Sequence, residues 1–145
     1  MKKLRIGIIV VILALLPLLT GCARNNDVEV LTDRFFVQQM ISITQNVDQY
    51  VGRTIQLEGM FWAYEVYGAP DPFYFVIRYL SSCCGGGGSI GFEVYLGDVP
   101  PFPDDTWVAV SGVLEVRDGW QPNVPVLVVT SIEAMDERGQ EIVYM

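Results

Sequence analysis

Two adjacent cysteines followed by four glycines, residues 83–88, are the part of this sequence whose residue types point most directly to chemistry. Paired thiolates bind soft cations such as Cu(I), zinc or trivalent arsenic, and they also exchange with disulfides. Adjacent α-carbons lie about 3.8 Å apart, whereas unstrained disulfides span about 4.4–6.8 Å, so a bond between Cys83 and Cys84 would be strained. We predict a ligand or metal site at Cys83 and Cys84. The structural alternative is a tight turn with buried thiols, since cysteine is often buried without any function.

Neighbouring residues are expected to support such a site. The glycine run can turn successive N–H groups inward as an anion-binding nest, formed by Gly85, Gly86, Gly87 and Gly88. Arg78 precedes the thiols and would favour their ionised form. Two other roles are possible for Arg78: pairing with a carboxylate in the interior, or solvation at a strand edge. Two sulfurs leave tetrahedral zinc two ligands short, so Cu(I) or arsenic is favoured unless carboxylates contribute. The carboxylates considered are Glu93, Asp98, Asp104 and Asp105, although the last two are more typical of a solvated turn.

The composition excludes most other chemistry. The chain has no histidine, which removes catalytic triads and the commonest zinc ligand, and no lysine follows Lys3. We therefore predict that the protein is not an enzyme. The chain has seventeen acidic and nine basic residues, and the resulting net charge of −8 disfavours nucleic-acid binding.

The N-terminus predicts export and lipidation. A basic start is followed by an apolar run over residues 6–19, which is short for a membrane span but typical of a signal peptide. Leu19-Thr20-Gly21-Cys22 then resembles a bacterial lipobox, which predicts a signal peptide over 1–21, a lipid on Cys22 and a polar tether over 22–30. An ordinary signal peptide or a short transmembrane anchor is the alternative. The lipid would hold the domain, residues 31–145, on the extracytoplasmic face of the cell membrane.

Periodicity predicts one helix followed by strands. Apolar residues recur at helical spacing over 33–45, where Thr32 or Asp33 can cap the start. Alternation predicts strands over 54–64, 73–80, 90–96, 106–117, 124–132 and, as a short last element, 141–144. Gly59 and Gly112 lie at the centres of two strands, where a barrel bends sharply. These features predict a mainly β fold, a small OB-like barrel of five to six strands preceded by one helix, with a β-sandwich as the alternative.

Aromatic residues cluster on both sides of the connection between the first two predicted strands. Such a stripe either lines a groove or belongs to the core. Its members are Trp62, Tyr64, Tyr67, Phe73, Tyr74 and Phe75.

Residues 50–115 resemble the extracytoplasmic C-terminal domain of YcgQ-type two-component permease subunits and related small lipoproteins. The resemblance is carried by residues 50–59, by Phe75-Val-Ile-Arg78-Tyr79, by Cys83-Cys84, and by the strands at 91–94 and 105–112. It implies an OB-like domain working beside a permease, with Arg78, Cys83 and Cys84 at signature positions. Two features depart from that family. Gly87 stands where the family pattern has an acidic residue, and the membrane-spanning part is absent, so the chain is not itself the channel.

These observations predict a lipid-anchored accessory domain that binds a thiophilic metal or metalloid through Cys83 and Cys84. The sequence does not identify a cofactor. The predicted partners are the membrane, through Cys22, and a permease. Two alternatives remain: a thiol–disulfide redox module, and a protein–protein adaptor in which the cysteine pair is purely structural.

Overall fold

The structure is a computed structural model that describes residues 27–81 and 87–144. In chain order its elements are β1 (Val28–Val30), a 3-10 helix (Asp33–Phe35), α1 (Phe36–Gln45), α2 (Val47–Tyr50), β2 (Thr54–Tyr64), β3 (Phe73–Ser81), β4 (Gly87–Tyr95), β5 (Trp107–Arg117), β6 (Val124–Ala134) and β7 (Ile142–Tyr144). The predictions for Cys22, Cys83, Cys84, Gly85 and Gly86 fall outside the described residues.

Five strands close into a ring in the order β2, β3, β4, β6, β5 and back to β2. Every pairing in the ring is antiparallel except that of β4 with β6, which is parallel. Two short strands extend the ring, because β1 pairs parallel with β2 and β7 pairs parallel with β3. The predicted OB-like barrel is therefore confirmed.

Helix α1 covers one end of the barrel with its apolar stripe. Phe36, Val37, Met40 and Ile43 are all buried and belong to the same core as the inward-facing residues of the strands. The 3-10 turn and α1 together span the predicted helix, residues 33–45. Neither predicted cap forms, since the helical segment has no side-chain cap hydrogen bond and the carboxylate of Asp33 accepts a bond from Arg78 instead.

The two central glycines lie where neighbouring strands approach closely. A β-carbon on Gly59 would stand 2.7 Å from the carbonyl oxygen of Ile77, and one on Gly112 would stand 2.8 Å from that of Val128. Any larger side chain would force the strands apart, so the two glycines permit the curvature that closes the ring.

Two predicted boundaries are wrong by three residues, whereas the ends of the other predicted strands agree with the structure to within two. The predicted tether includes residues 28–30, which form β1; a strand of three residues is too short to show an alternating pattern. Strand β4 begins at Gly87 rather than at residue 90, because glycine and serine carry no strand pattern even where they pair in register with Leu80 and Ser81. Gly87 and Gly88 thus belong to a paired strand and not to a turn.

Candidate functional site

The strands that flank the thiol pair are paired up to their ends. Ser81, the last residue of β3, lies opposite Gly87, the first residue of β4. Neither Gly87 nor Gly88 has a positive φ angle, and both are exposed. Residues 82–86, which include Cys83 and Cys84, connect these two strand ends in the sequence.

Arg78 is the one charged residue among the described residues that is fully buried. Its Nε donates a hydrogen bond to the carbonyl oxygen of Glu58 at 2.8 Å, and its Nη1 donates to the carboxylate of Asp33 at 2.6 Å. The guanidinium carbon lies 4.3 Å from the centre of the Phe36 ring and 5.3 Å from that of Trp107. Arg78 therefore joins the barrel to the turn before α1, and its effect on the thiols stays a prediction.

A cleft of about 890 Å³ runs along the outer face of β2, β3 and β4. We call it the aromatic cleft, because five of its twelve lining residues carry aromatic rings: Trp62, Tyr64, Phe75, Tyr79 and Trp120. Trp62, Tyr64, Tyr79 and Trp120 are each between 39% and 47% exposed, so their surfaces are open to a ligand. The volume is within the range of about 300–1,000 Å³ that is usual for ligand sites.

The shape of the aromatic cleft follows from the register of β3 against β4. Alternate residues of β3 point outward. Toward the end of β3 their partners on β4 are small, since Tyr79 lies opposite Ser89 and Ser81 lies opposite Gly87, whereas Phe75 lies opposite Glu93. At this end of the cleft, one side therefore carries the Tyr79 ring while the other is little more than backbone.

Trp120 closes one side of the aromatic cleft from the loop between β5 and β6. Its ring stands edge-to-face against Tyr64 and against Phe75, with both pairs of ring centres 6.4 Å apart. The backbone N–H of Trp120 donates to the carboxylate of Glu93 at 3.0 Å. A β-carbon on the neighbouring Gly119 would overlap that carboxylate, so only glycine lets the loop settle there without displacing Glu93.

Burial raises the pKa of Glu93, while the hydrogen bond from Trp120 and the charge of Arg117 partly oppose this shift. Arg117 itself stacks on Tyr95, with the guanidinium carbon 4.3 Å from the ring centre. Glu93 is thus a half-buried carboxylate that holds the backbone of Trp120, which lines the aromatic cleft.

The sequence predicted three of the five rings of the aromatic cleft. Trp62, Tyr64 and Phe75 line it, whereas Tyr74 stacks on Phe61 in the core and Tyr67 is fully exposed on a loop. Tyr79 was missed although its alternation with Phe75 placed it on the same face. Trp120 was missed because nothing in its local sequence links it to a strand more than forty residues earlier.

The carboxylates considered as metal ligands do not converge within the described part of the chain. Asp104 accepts a hydrogen bond from the backbone of Ala63, and Asp105 pairs with Arg138. Across residues 27–81 and 87–144, no three acidic or thiol groups come together in a way that could hold a metal ion. None of the helices described there has the length and apolar character needed to cross a membrane.

The closed ring and its outer cleft define the class of small OB-like barrels. In that class the second and third strands, with the loop between the fourth and fifth, form the usual binding face. Strands β3 and β4 and the loop that carries Trp120 occupy these positions here. The chain belongs to the DUF1980 C-terminal domain family, whose model matches residues 19–145. A search of curated proteins finds no match to it.

Proposed function

We propose that this chain is a lipid-anchored, non-enzymatic binding domain on the extracytoplasmic face of the membrane. It would bind a thiophilic metal or metalloid through Cys83 and Cys84 and act as an accessory to a transport system. The lipid on Cys22 would supply the anchor.

One observation carries the proposal. Ser81 and Gly87 are paired and both line the aromatic cleft, so the thiols belong in sequence to the connection between two cleft-lining strands. A ligand held by that connection would have the binding face of an OB-like barrel next to it. Metal chemistry is favoured over catalysis because the chain has no histidine and its interior arginine is already paired with a carboxylate.

The role beside a permease is supported by the resemblance to permease subunits. Membership of the DUF1980 C-terminal domain family covers nearly the whole chain. In the proposed role the domain presents its ligand to a separate membrane protein.

The test is a titration of reduced protein, without its signal peptide, with Cu(I), Zn(II) and arsenite. We expect Cu(I) or arsenite to bind with a dissociation constant below about 1 mM, and zinc to bind more weakly because two sulfurs leave its shell incomplete. The Cys83→Ser/Cys84→Ser variant should lose this binding. The proposal fails if none of the three binds, or if the double-serine variant binds equally well.

Mass spectrometry after alkylation, with and without prior reduction, distinguishes a redox module from a metal site. A redox module requires that the pair can oxidise, because a strained vicinal disulfide forms and breaks as part of its cycle. A pair that never oxidises excludes that function.

A further inference from the structure

We infer that the aromatic cleft docks an extended segment of a partner protein that carries arginine or lysine side chains. The inference concerns the partner rather than the thiol ligand. It depends on the described residues alone and holds whether or not Cys83 and Cys84 bind a metal.

The first observation is that the rings of the cleft have open faces. Elsewhere in the described chain, arginines cover aromatic rings: Arg34 lies over Phe35, Arg53 over Tyr50, Arg78 over Phe36 and Trp107, and Arg117 over Tyr95. None of the described arginines lies over a ring of the aromatic cleft. Exposed tryptophan and tyrosine faces attract guanidinium and ammonium groups, so a cation from outside the chain can take this position.

The second observation is the sign of the charge around the cleft. Glu93 accepts a hydrogen bond from the backbone of Trp120, and two further acidic residues are sequence neighbours of cleft residues, Glu65 after Tyr64 and Asp118 before Trp120. Arg117 brings one positive charge to Glu93, whereas Arg138 is bonded to Asp105 and Glu141, so acidic groups outnumber free basic ones here. With a net charge of −8, the chain attracts cationic partners and repels anionic ones.

The third observation is the shape of the site. From Phe75 to Ser81 the cleft follows seven residues of β3, a length of about 20 Å that matches a hexapeptide in extended form. Strand β4 pairs with β6 only from Glu93 onward. Between Gly87 and Phe92 its second edge has no partner strand among the described residues. An extended peptide can pair with such an edge while its alternate side chains contact the neighbouring rings.

The probe that tests this inference is the peptide acetyl-Arg-Val-Arg-Val-Arg-Val-amide. Its matched control replaces each arginine with citrulline, which keeps the shape of the side chain and removes the charge. Binding is followed by calorimetry and by tryptophan fluorescence on the full mature domain bearing Cys83→Ser/Cys84→Ser, so that thiol chemistry cannot contribute. Failure of the metal titration would then leave the peptide inference untouched, and failure of the peptide titration would leave the proposed metal binding untouched.

We expect the arginine peptide to bind with a dissociation constant below about 1 mM and the citrulline peptide to bind about fivefold or more weakly. Trp62→Leu and Trp120→Leu should each weaken the arginine peptide by a similar factor, because each removes an open ring and leaves the net charge unchanged. Tyr67→Leu, which removes a fully exposed ring outside the cleft, should have no effect.

Three results would overturn the inference. The first is the absence of binding at about 1 mM peptide, and the second is equal binding of the two peptides. The third is unchanged binding to the tryptophan variants, which would show a diffuse attraction between opposite charges rather than a docking site.

Discussion

Arg78 donates to the carboxylate of Asp33 at 2.6 Å, and this contact ties the interior of the barrel to the turn before α1. The two ends of the pair differ in environment, since the side chain of Arg78 is 1% exposed and that of Asp33 is 55% exposed. A buried guanidinium that loses its carboxylate keeps the cost of desolvation without the compensating bond. We therefore expect Asp33→Ala to lower the free energy of unfolding by about 1–3 kcal/mol in urea denaturation.

A matched control and a double variant make this prediction specific. Asp48 lies in the first turn of α2 and is exposed, as Asp33 is, but among the described residues it pairs with no arginine, so Asp48→Ala should change stability by about 0.5 kcal/mol or less. In the Asp33→Ala/Arg78→Met variant no buried charge is left unpaired, and the loss should be smaller than the sum of the single losses. Additive losses would contradict the coupling.

The contact between Glu93 and Trp120 should depend on pH. Burial raises the pKa of Glu93, so the folded protein holds this proton more tightly than the unfolded chain does. The contribution of Glu93 to stability is therefore complete below its ordinary pKa of 4.5 and is lost as the pH rises through the raised value. Glu93→Gln keeps an oxygen that can accept from Trp120 and removes the charge, so at pH 7 the variant should be the more stable protein by up to about 1 kcal/mol.

Urea denaturation at pH 7 and at pH 4 checks this prediction. The advantage of Glu93→Gln should shrink toward acid, because wild-type Glu93 then becomes neutral as well. A difference that grows as the pH falls would show that the carboxylate stabilises the fold through Arg117 rather than opposing it. Tryptophan fluorescence of the same samples reports whether Trp120 stays in place.

Gly91 should be the least replaceable residue of β4. A β-carbon at this position would stand 2.0 Å from the carbonyl oxygen of Val76, and backbone cannot move aside as a flexible side chain can. We expect Gly91→Ala to lower the free energy of unfolding by about 1–3 kcal/mol, as overpacking does elsewhere. Gly88→Ala is the matched control in the same strand, since a β-carbon there meets nothing within 4 Å. Equal effects of the two substitutions would contradict the close approach.

The lipid anchor is tested by inhibiting the signal peptidase that processes lipoproteins. Globomycin should cause a larger, unprocessed precursor to accumulate, because the cut before Cys22 requires that enzyme. Cys22→Ser should likewise prevent both cleavage and labelling with a radioactive fatty acid. Normal processing in either experiment would indicate the alternative, an ordinary signal peptide or a transmembrane anchor.

The sequence predicted the elements better than the site. The alternation of apolar residues predicted β2 with the ends that the structure shows, and the apolar stripe predicted α1. Both succeeded because burial of one face leaves a periodic pattern in the sequence. Strand pairing joins residues that are distant in the sequence, so the contact between Glu93 and Trp120 could not be predicted from either segment. Arg78 left three interpretations open from sequence alone. Its pairing with a carboxylate emerges only when the turn at Asp33 folds against β3.

Strand β1 limits how far the domain can stand from the lipid bilayer. Because Val28 already belongs to the sheet, the proposed lipid on Cys22 is separated from the barrel by six peptide links, which span at most about 20 Å. That tether is shorter than the diameter of the barrel's own domain, about 35 Å for a globule of this size. The proposed anchor would therefore keep the binding face of the domain close to the bilayer, within reach of an integral membrane partner.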